Sequence, residues 1–189
     1  EVLYKIFDYL GIAEELKLKK MDEKFDFISF NGDSNEYPIS QGRENFISNL
    51  TAFFPEERQA IEKYMNLMDE YTQYFPLHNL EPQAFSLDGR LEVMEKTAKE
   101  VIFSLTRNEK LRAVLSGVNF LYAGEDNTPF YVHALTVNSY IKSAWRCIKG
   151  GSQIAKLLAR KVNRGGGKVI KNTEVKEIFI QNDKIEYVL

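Results

Sequence analysis

Apolar residues recur three and four positions apart through most of the chain, which is the period of an α-helix. Residues 1–10 follow this pattern, and Gly11 supplies a stop. Further helices are predicted over residues 43–53 and from Pro55, which a first helical turn tolerates, to Pro76. The loop at 76–90 is followed by predicted helices at 91–106, 108–116 (capped by Asn108 and stopped by Gly117) and 131–147. The helix after Pro55 has an apolar stripe of Ile61, Tyr64, Met65, Met68, Tyr71 and Phe75.

Strand patterns occur in two places. The segments FDFISF (25–30) and NEYPIS (35–40) flank an Asn31-Gly32 step, which is a strong hairpin signal. Near the carboxyl end, a helix capped by Ser152 precedes the strand-like segments KVIKN (168–172) and EVKEIFI (174–180) and a hairpin return. The sequence therefore predicts an α+β fold. Residues 1–148 form a helical domain with a small antiparallel sheet, and residues 149–189 form part of a second domain.

Composition excludes several classes of protein. Hydrophobic residues make up 44% of the 189 residues, enough for a real core, and no apolar run reaches the length of a membrane span. The net charge of −2, with acidic and basic residues interspersed, argues against a nucleic-acid-binding surface. Cys147 is the only cysteine, so no intrachain disulfide forms. A reducing compartment, the cytoplasm, fits best.

Common catalytic and binding motifs are absent. GGGK at 165–168 resembles a phosphate loop, but the preceding glycine is misplaced and Val169 stands where Ser or Thr is required. No GxGxxG or GxSxG motif occurs. His78 and His133 are not at metal-ligand spacing, so no metal site is predicted.

Two glycine clusters bracket the helix near the carboxyl end. Gly150-Gly151 precedes it and Gly165-Gly166-Gly167 follows it. One interpretation is ordinary turn punctuation. The other is that the missing side chains let backbone approach a flat ligand at a helix amino terminus. Spacing alone leaves both open.

The order of this bracket resembles flavin-dependent oxidoreductases of the phytoene desaturase and retinol saturase type, and more loosely amine oxidases. The shared pattern is a glycine pair, a helix, further glycines, a strand and T-x-V-x-x-I, here Thr173, Val175 and Ile178. Upstream, YKIFDYLGI, the 25–40 hairpin, NLTAFFPEERQAIEKYMNLMDE and LYAGEDNTPF follow the family's order more diffusely.

The resemblance implies a role for FAD and an apolar substrate. Gly150 and Gly151 would lie near the flavin ring, and Val175 would contact the adenine part through its backbone. Helices within 43–147 would line the pocket for a polyene or similar lipid, with Tyr122, Tyr131 and His133 as candidate substrate-binding residues. No catalytic acid or base is assigned. The reaction would be hydride transfer between flavin and a substrate carbon.

The family's amino-terminal GxGxxG and its carboxyl-terminal glycine-rich segment do not occur in this sequence. We therefore expect an inactive fragment of a longer enzyme, comprising a substrate domain (1–148) and a piece of the FAD-binding domain (149–189), that binds FAD weakly or not at all. Its unpaired 168–172 strand would allow a homodimer, and the apolar substrate would allow the parent protein peripheral membrane contact. Two alternatives stay open: a stand-alone helical module that binds a ligand or protein, and an amine-oxidase-like flavoenzyme with buried charge in its pocket.

Overall fold

A computed structural model describes residues 2–76, 80 and 94–189. The helices are α1 (Val2–Tyr9), α2 (Arg43–Thr51), α3 (Arg58–Gln73), α4 (Ala98–Leu105), α5 (Glu109–Ser116), α6 (Phe130–Lys142) and α7 (Ser152–Arg164). The strands are β1 (Leu18–Lys20), β2 (Lys24–Ser29), β3 (Glu36–Ser40), β4 (Trp145–Cys147), β5 (Ile178–Gln181) and β6 (Lys184–Val188). The strands pair as three antiparallel two-stranded sheets, β1-β4, β2-β3 and β5-β6, which with the helices confirms the α+β class.

Part of the sequence prediction lies outside the described residues. Most of the loop at 76–90 falls there, including His78, as do residues 91–93 of the helix predicted from 91. Within the described part, α4 begins at Ala98 behind a capping box: the Thr97 hydroxyl accepts the Glu100 N–H, and the Glu100 carboxylate accepts the Thr97 N–H. The Asn108 side chain accepts the Leu111 N–H at 3.0 Å, so the predicted cap of α5 is confirmed.

The larger hydrophobic core is built on α3, which packs against α2, α4 and α6. The predicted apolar stripe of α3 faces this core: Ile61, Tyr64, Met65 and Met68 are each at most 1% exposed. Apolar positions at helical spacing place these side chains on one face, and burying that face removes it from water. Residues from the other helices and from β3 complete the core: Phe46, Leu50, Ile102, Leu111, Val114, Phe130, Ala134 and Tyr37.

The predicted hairpin is confirmed as β2 and β3, which pair antiparallel with Ser29 opposite Glu36. Gly32 lies in the turn at φ +81, a conformation that glycine adopts readily. An ion pair fixes the hairpin to α5, because the Lys110 ammonium donates to Asp33 Oδ2 at 2.8 Å. The Tyr37 hydroxyl donates to the same oxygen at 2.8 Å.

The helix predicted over 131–147 is wrong at its carboxyl end. α6 stops at Lys142, Ser143 is extended at φ −170, and Trp145–Cys147 form strand β4. β4 pairs antiparallel with β1, with Lys20 opposite Trp145 and Leu18 opposite Cys147. Pairing with a segment more than a hundred residues away satisfies the backbone groups that a longer helix would have used. We call β1 and β4 together the ribbon.

A second, smaller core lies beside the ribbon. Ile12 and Leu16 are buried against Leu157 of α7, and partly buried Phe7, Leu18, Ile154 and Leu158 pack around them. The amino-terminal segment therefore packs with α7, on the other side of the boundary predicted at residue 148.

Two predictions about the carboxyl-terminal segment are wrong, and a third is right only in part. Of the strand predicted over 174–180, residues 178–180 lie in β5 and residues 174–177 are irregular. Ser152 is the first residue of α7 rather than its cap, and Gly151 occupies the cap position without a side-chain hydrogen bond. The strand predicted over 168–172 does not form. Ile170 is 73% exposed and Asn172 has φ +55, which interrupts an extended backbone. A strand needs a partner for its backbone groups, and no strand in the described part of the chain pairs with this one. Of the helices described, none combines the length and apolarity needed to cross a membrane.

Candidate functional site

The first glycine pair forms a tight turn between β4 and α7. The Gly150 N–H donates to the Cys147 carbonyl at 3.2 Å, and Lys149 and Gly150 both have positive φ, +65 and +91. Gly151 follows with an ordinary φ of −69 and precedes the first turn of α7. We call Lys149, Gly150 and Gly151 the glycine turn. All three residues are exposed.

The space around the glycine turn is open. A Cβ atom built on Gly150 or on Gly151 meets no described atom within 4 Å. Gly117 provides a contrast, because a Cβ there would lie 2.8 Å from Ile28 Cδ1. Packing within the chain therefore accounts for Gly117, and backbone conformation accounts for Gly150. Gly151 occupies the cap position of α7, where glycine is one of the favoured residues, and the space above it is open.

The second glycine cluster is a helix stop. Gly166 has φ +84, and the Gly167 N–H returns to the Val162 carbonyl at 2.9 Å across the end of α7. Backbone bonds of this kind close the carboxyl ends of many helices. A Cβ on Gly167 would also lie 2.8 Å from Val162 Cγ1. Ordinary helix termination is therefore a sufficient explanation for this half of the bracket.

Val175, the candidate adenine contact, lies in the irregular segment before β5 and is 59% exposed. Its backbone is not in a regular strand. Among the described residues, no group of three or more His, Cys, Asp or Glu side chains could hold a metal ion.

A shallow groove lies next to the glycine turn. It has a volume of about 240 Å³ and is lined by Glu15, Lys17, Ile148, Lys149, Ser152, Gln153, Lys156, Leu157 and Arg160. Pockets that enclose a drug-sized ligand measure about 300–1,000 Å³. The groove is therefore smaller than a pocket that encloses such a ligand.

The candidate substrate residues Tyr122 and His133 are in direct contact. Tyr122 lies in the 3-10 turn Asn119–Tyr122, and His133 lies in the first turns of α6. The Tyr122 hydroxyl is 2.6 Å from His133 Nδ1, and the Tyr64 hydroxyl of α3 is 2.6 Å from His133 Nε2. We call Tyr64, His133, Tyr122 and Asn119 the tyrosine–histidine network.

The hydrogen bonds of this network have one consistent set of donors and acceptors. A neutral imidazole has one N–H and one acceptor nitrogen. Since the Tyr122 hydroxyl donates to Asn119 Oδ1 at 2.5 Å, it accepts a hydrogen bond from His133 Nδ1–H. His133 Nε2 then accepts from the Tyr64 hydroxyl. With this assignment the Tyr64 hydroxyl, the Tyr122 hydroxyl and the His133 ring N–H each have an acceptor, as burial requires.

Burial keeps the network uncharged. It lowers the pKa of His133 to about 3 and raises the pKa of Tyr122 to about 12. Burial also raises the pKa of Tyr64 well above its ordinary value. Desolvation disfavours the charged form of each group, so all three are neutral near pH 7.

Sequence reasoning placed Tyr64 only on the apolar stripe of α3 and missed its polar contact. Its hydroxyl meets a histidine 69 residues away, and no local pattern signals such a pairing. Tyr131, the third candidate, stacks instead on Phe75 with ring centroids 4.9 Å apart. Its side chain is half-buried at the edge of the larger core.

The network includes a residue near the start of α6, and the glycine turn follows this helix and β4 along the chain. His133 is near the start of this helix, and the chain leaves its last residue, Lys142, for β4 and the glycine turn. At about 1.5 Å per residue, roughly 14 Å of helix separates His133 from Lys142. The printed hydrogen bonds and ring contacts of Tyr122 and His133 are with each other and with Tyr64, Asn119 and Phe130, rather than with the glycine turn.

Comparisons with known proteins bear on both the glycine turn and the tyrosine–histidine network. The chain is 28% identical over 188 residues to an all-trans-retinol 13,14-reductase of Danio rerio, covering 90% of this chain and 31% of that protein. It is 28% identical over 185 residues to the Rattus norvegicus protein of the same name, covering 89% of this chain and 30% of the relative. An inactive all-trans-retinol 13,14-reductase of Danio rerio is 22% identical over 166 residues, 80% of this chain and 27% of that protein. No family model matches the chain.

These relatives confirm the predicted relationship to the retinol saturase type. The chain spans about a third of the length of the curated relatives it matches.

Proposed function

From its relationship to the all-trans-retinol 13,14-reductases, we propose that this chain is the substrate-domain portion of an oxidoreductase that uses FAD to transfer hydride to or from an apolar polyene. Retinoids and carotenoids are the substrate class that fits. The observation that carries the proposal is the similarity over nine-tenths of the chain to retinol reductases. Flavin dependence rests on the resemblance together with the open backbone of the glycine turn.

Bound FAD would supply or accept the hydride at its flavin ring. Gly150 and Gly151 would present bare backbone to the ring, and Val175 would offer its backbone to the adenine part. α7 begins beside the turn without a side-chain cap, so its first N–H groups could face an electron-rich part of the cofactor.

The helical part of the chain would bind the substrate. We propose that helices between 43 and 147 bind the polyene and exclude water, with Tyr122, Tyr131 and His133 near the substrate. The neutral tyrosine–histidine network suits an apolar ligand, because it places no charge beside it. Tyr122 and Asn119 are the half-buried members of that network, and Tyr122 would be its point of contact with the substrate.

An amine-oxidase-like function is the less favoured alternative. A polar, charged substrate would call for buried charge in the pocket. The buried polar residues of the described part are all uncharged types or neutral His133: Ser40, Gln41, Thr72, Thr106, His133 and Asn138. This composition favours an apolar substrate.

Domain organisation and association are also proposals. We propose that residues 1–148 form a substrate domain and that residues 149–189 are a segment of the cofactor domain. Side chains from the amino-terminal segment pack on α7 across this division. Peripheral membrane contact is proposed because of the apolar substrate. A homodimer also stays a proposal, but an edge strand at 168–172 cannot form it, because this segment is not a strand.

The test is a flavin and product analysis of the full-length protein that contains this sequence. We expect the purified protein to carry FAD, seen by its visible absorbance and by release on denaturation. Reduced protein mixed with all-trans-retinol without oxygen should reoxidise its flavin, and the product should gain two hydrogen atoms by mass spectrometry. Oxidised protein mixed with the saturated product tests the reverse direction, in which the polyene loses two hydrogen atoms.

The Gly151→Leu variant of the same protein tests whether the glycine turn contacts the cofactor. It should fold, because no described atom occupies the space above Gly151, but it should retain little FAD. A full-length protein that folds, carries no flavin and binds retinol unchanged would support the stand-alone binding module instead.

A further inference from the structure

Two glutamine side chains close the two ends of the ribbon. Its backbone ladder extends one step beyond β1 and β4 at each end. At one end the Ile148 N–H donates to the Lys17 carbonyl at 2.9 Å, and at the other the Met21 N–H donates to the Ala144 carbonyl at 3.0 Å. Gln153 lies at the first end and Gln41 at the second.

Gln153 binds both strands and the glycine turn. Its Oε1 accepts the Lys17 N–H at 2.8 Å, and its Nε2 donates to the Lys17 carbonyl at 3.0 Å, as a neighbouring strand would. Nε2 is also 3.0 Å from the Ile148 carbonyl and 3.5 Å from the Gly150 carbonyl. One side chain of α7 therefore joins β1, the end of β4 and the turn.

Gln41 binds the opposite end in the same way. Its Nε2 donates to the carbonyls of Met21 and Asp22 at 2.8 and 2.9 Å, and its Oε1 accepts the Ala144 N–H at 2.9 Å. Gln41 is 6% exposed and directly follows β3, which packs on the larger core. The ribbon is thus attached to the larger core by Gln41 and to α7 by Gln153.

The turn beside Gln153 adopts a conformation that needs support. Lys149 and Gly150 are consecutive residues at positive φ, +65 and +91. A lysine in the left-handed region is uncommon, and such residues persist where surrounding contacts hold them. The contacts available here are the Gly150 N–H to the Cys147 carbonyl and the amide of Gln153.

We propose that Gln153 and Gln41 are positioning residues. They fix the ribbon between the larger core and α7, and they hold the glycine turn in the orientation that receives the flavin. This inference rests on the proposed function, because only a ligand at the turn gives that orientation a catalytic purpose. Neither glutamine contacts the reacting atoms. Gln153 acts through the backbone of Lys17, Ile148 and Gly150, and Gln41 fixes the other end of the same ribbon to the substrate-binding helices.

The first experiment needs no cofactor. Gln153→Met keeps the length of the side chain and removes its hydrogen bonds, and Gln73→Met at the exposed end of α3 is the matched control. In hydrogen–deuterium exchange, we expect the Lys17 and Gly150 amides of Gln153→Met to exchange at least tenfold faster. The Met65 amide, inside α3, should exchange at the unchanged rate and so report that the fold is intact.

The second experiment measures FAD affinity in the full-length protein. Gln153→Met should weaken FAD binding at least tenfold and shift the visible flavin spectrum, while Gln73→Met should do neither. Gln41→Met tests the other end of the ribbon, and its Ala144 amide should exchange faster than that of the wild type. This variant should bind FAD with little change in affinity and should turn over a polyene with a lower kcat.

Three results would decide against the inference or against its premise. Unchanged exchange at Lys17 and Gly150 in Gln153→Met would overturn the positioning role. Faster exchange with unchanged FAD affinity would overturn the connection between the turn and the flavin. A full-length protein that binds no FAD before any substitution would refute the proposed function instead, and the exchange result would still show whether Gln153 fixes the turn.

Discussion

Tyr64 and His133 are 69 residues apart in the chain, and their side chains share a hydrogen bond of 2.6 Å in the larger core. Tyr64 is 1% exposed and His133 is fully buried, so water cannot replace either partner. With Tyr122 on its other nitrogen, His133 is held in a single orientation across α3, α6 and the 3-10 turn before α6. This network joins three segments that pack together only in the folded protein.

Removing the Tyr64 hydroxyl should destabilise the fold. Tyr64→Phe leaves His133 Nε2 buried without a donor, and an unsatisfied buried polar group costs about 1–3 kcal/mol. Urea denaturation followed by circular dichroism measures the change. Tyr140→Phe is a suitable control, because Tyr140 is 40% exposed. Equal stability of the two variants would mean that the Tyr64–His133 contact contributes nothing.

Stability should fall as the pH is lowered from 6.5 to 5. Burial lowers the pKa of His133 from 6.5 to about 3, so the unfolded chain binds a proton in this range that the folded chain does not. The stabilisation is complete above pH 6.5 and is lost as the pH falls towards 3. At about 1.4 kcal/mol per pKa unit, the loss between pH 6.5 and 5 is up to about 2 kcal/mol.

The measurement for this pH effect compares the wild type with His133→Gln by urea denaturation at pH 6.5 and 5. The variant lacks the buried imidazole and should show a flatter dependence on pH. The carboxylates Asp33 and Glu100, whose hydrogen bonds lower their pKa values, also lose stabilisation as the pH falls, mainly below pH 5, and this loss is the same in both proteins. Parallel pH curves for the two proteins would contradict the prediction.

Alanine at two glycines should give opposite results. Gly151→Ala should leave stability unchanged or raise it by about 0.5 kcal/mol, because φ is ordinary and a Cβ meets no described atom within 4 Å. Gly117→Ala should lower stability by about 1–3 kcal/mol, because its Cβ would lie 2.8 Å from Ile28 Cδ1. In the full-length protein only Gly151→Ala should weaken FAD binding without a loss of stability. If Gly151→Ala unfolds the chain, the glycine has an internal structural role after all.

The 189-residue chain by itself should bind FAD weakly or not at all. Its groove beside the glycine turn, about 240 Å³, provides too few contacts for a dinucleotide. An absorbance spectrum of the purified chain, followed by titration with FAD, tests this. A yellow protein with one flavin per chain would be the contrary result.

Local physical chemistry was enough to predict most helices of the described part from the sequence. Apolar spacing predicted the buried face of α3, Asn108 predicted the start of α5, and Asn31-Gly32 predicted the hairpin of β2 and β3. These features depend on residues within a few positions of one another, so a short window of sequence contains their cause. The order of glycines, helix and T-x-V-x-x-I likewise led to the retinol saturase type, which the relatives confirm.

Tertiary structure alone decided the features that depend on distant partners. α6 ends at Lys142 rather than at Cys147 because residues 145–147 pair with Leu18–Lys20. The segment 168–172 is not a strand because no described strand lies beside it to share its hydrogen bonds. Tyr64, Gln41 and Gln153 acquire their roles from partners 69, 103 and 136 residues away. The sequence by itself determined where amphipathic helices and turns form, and the long-range contacts determined which polar side chains connect them.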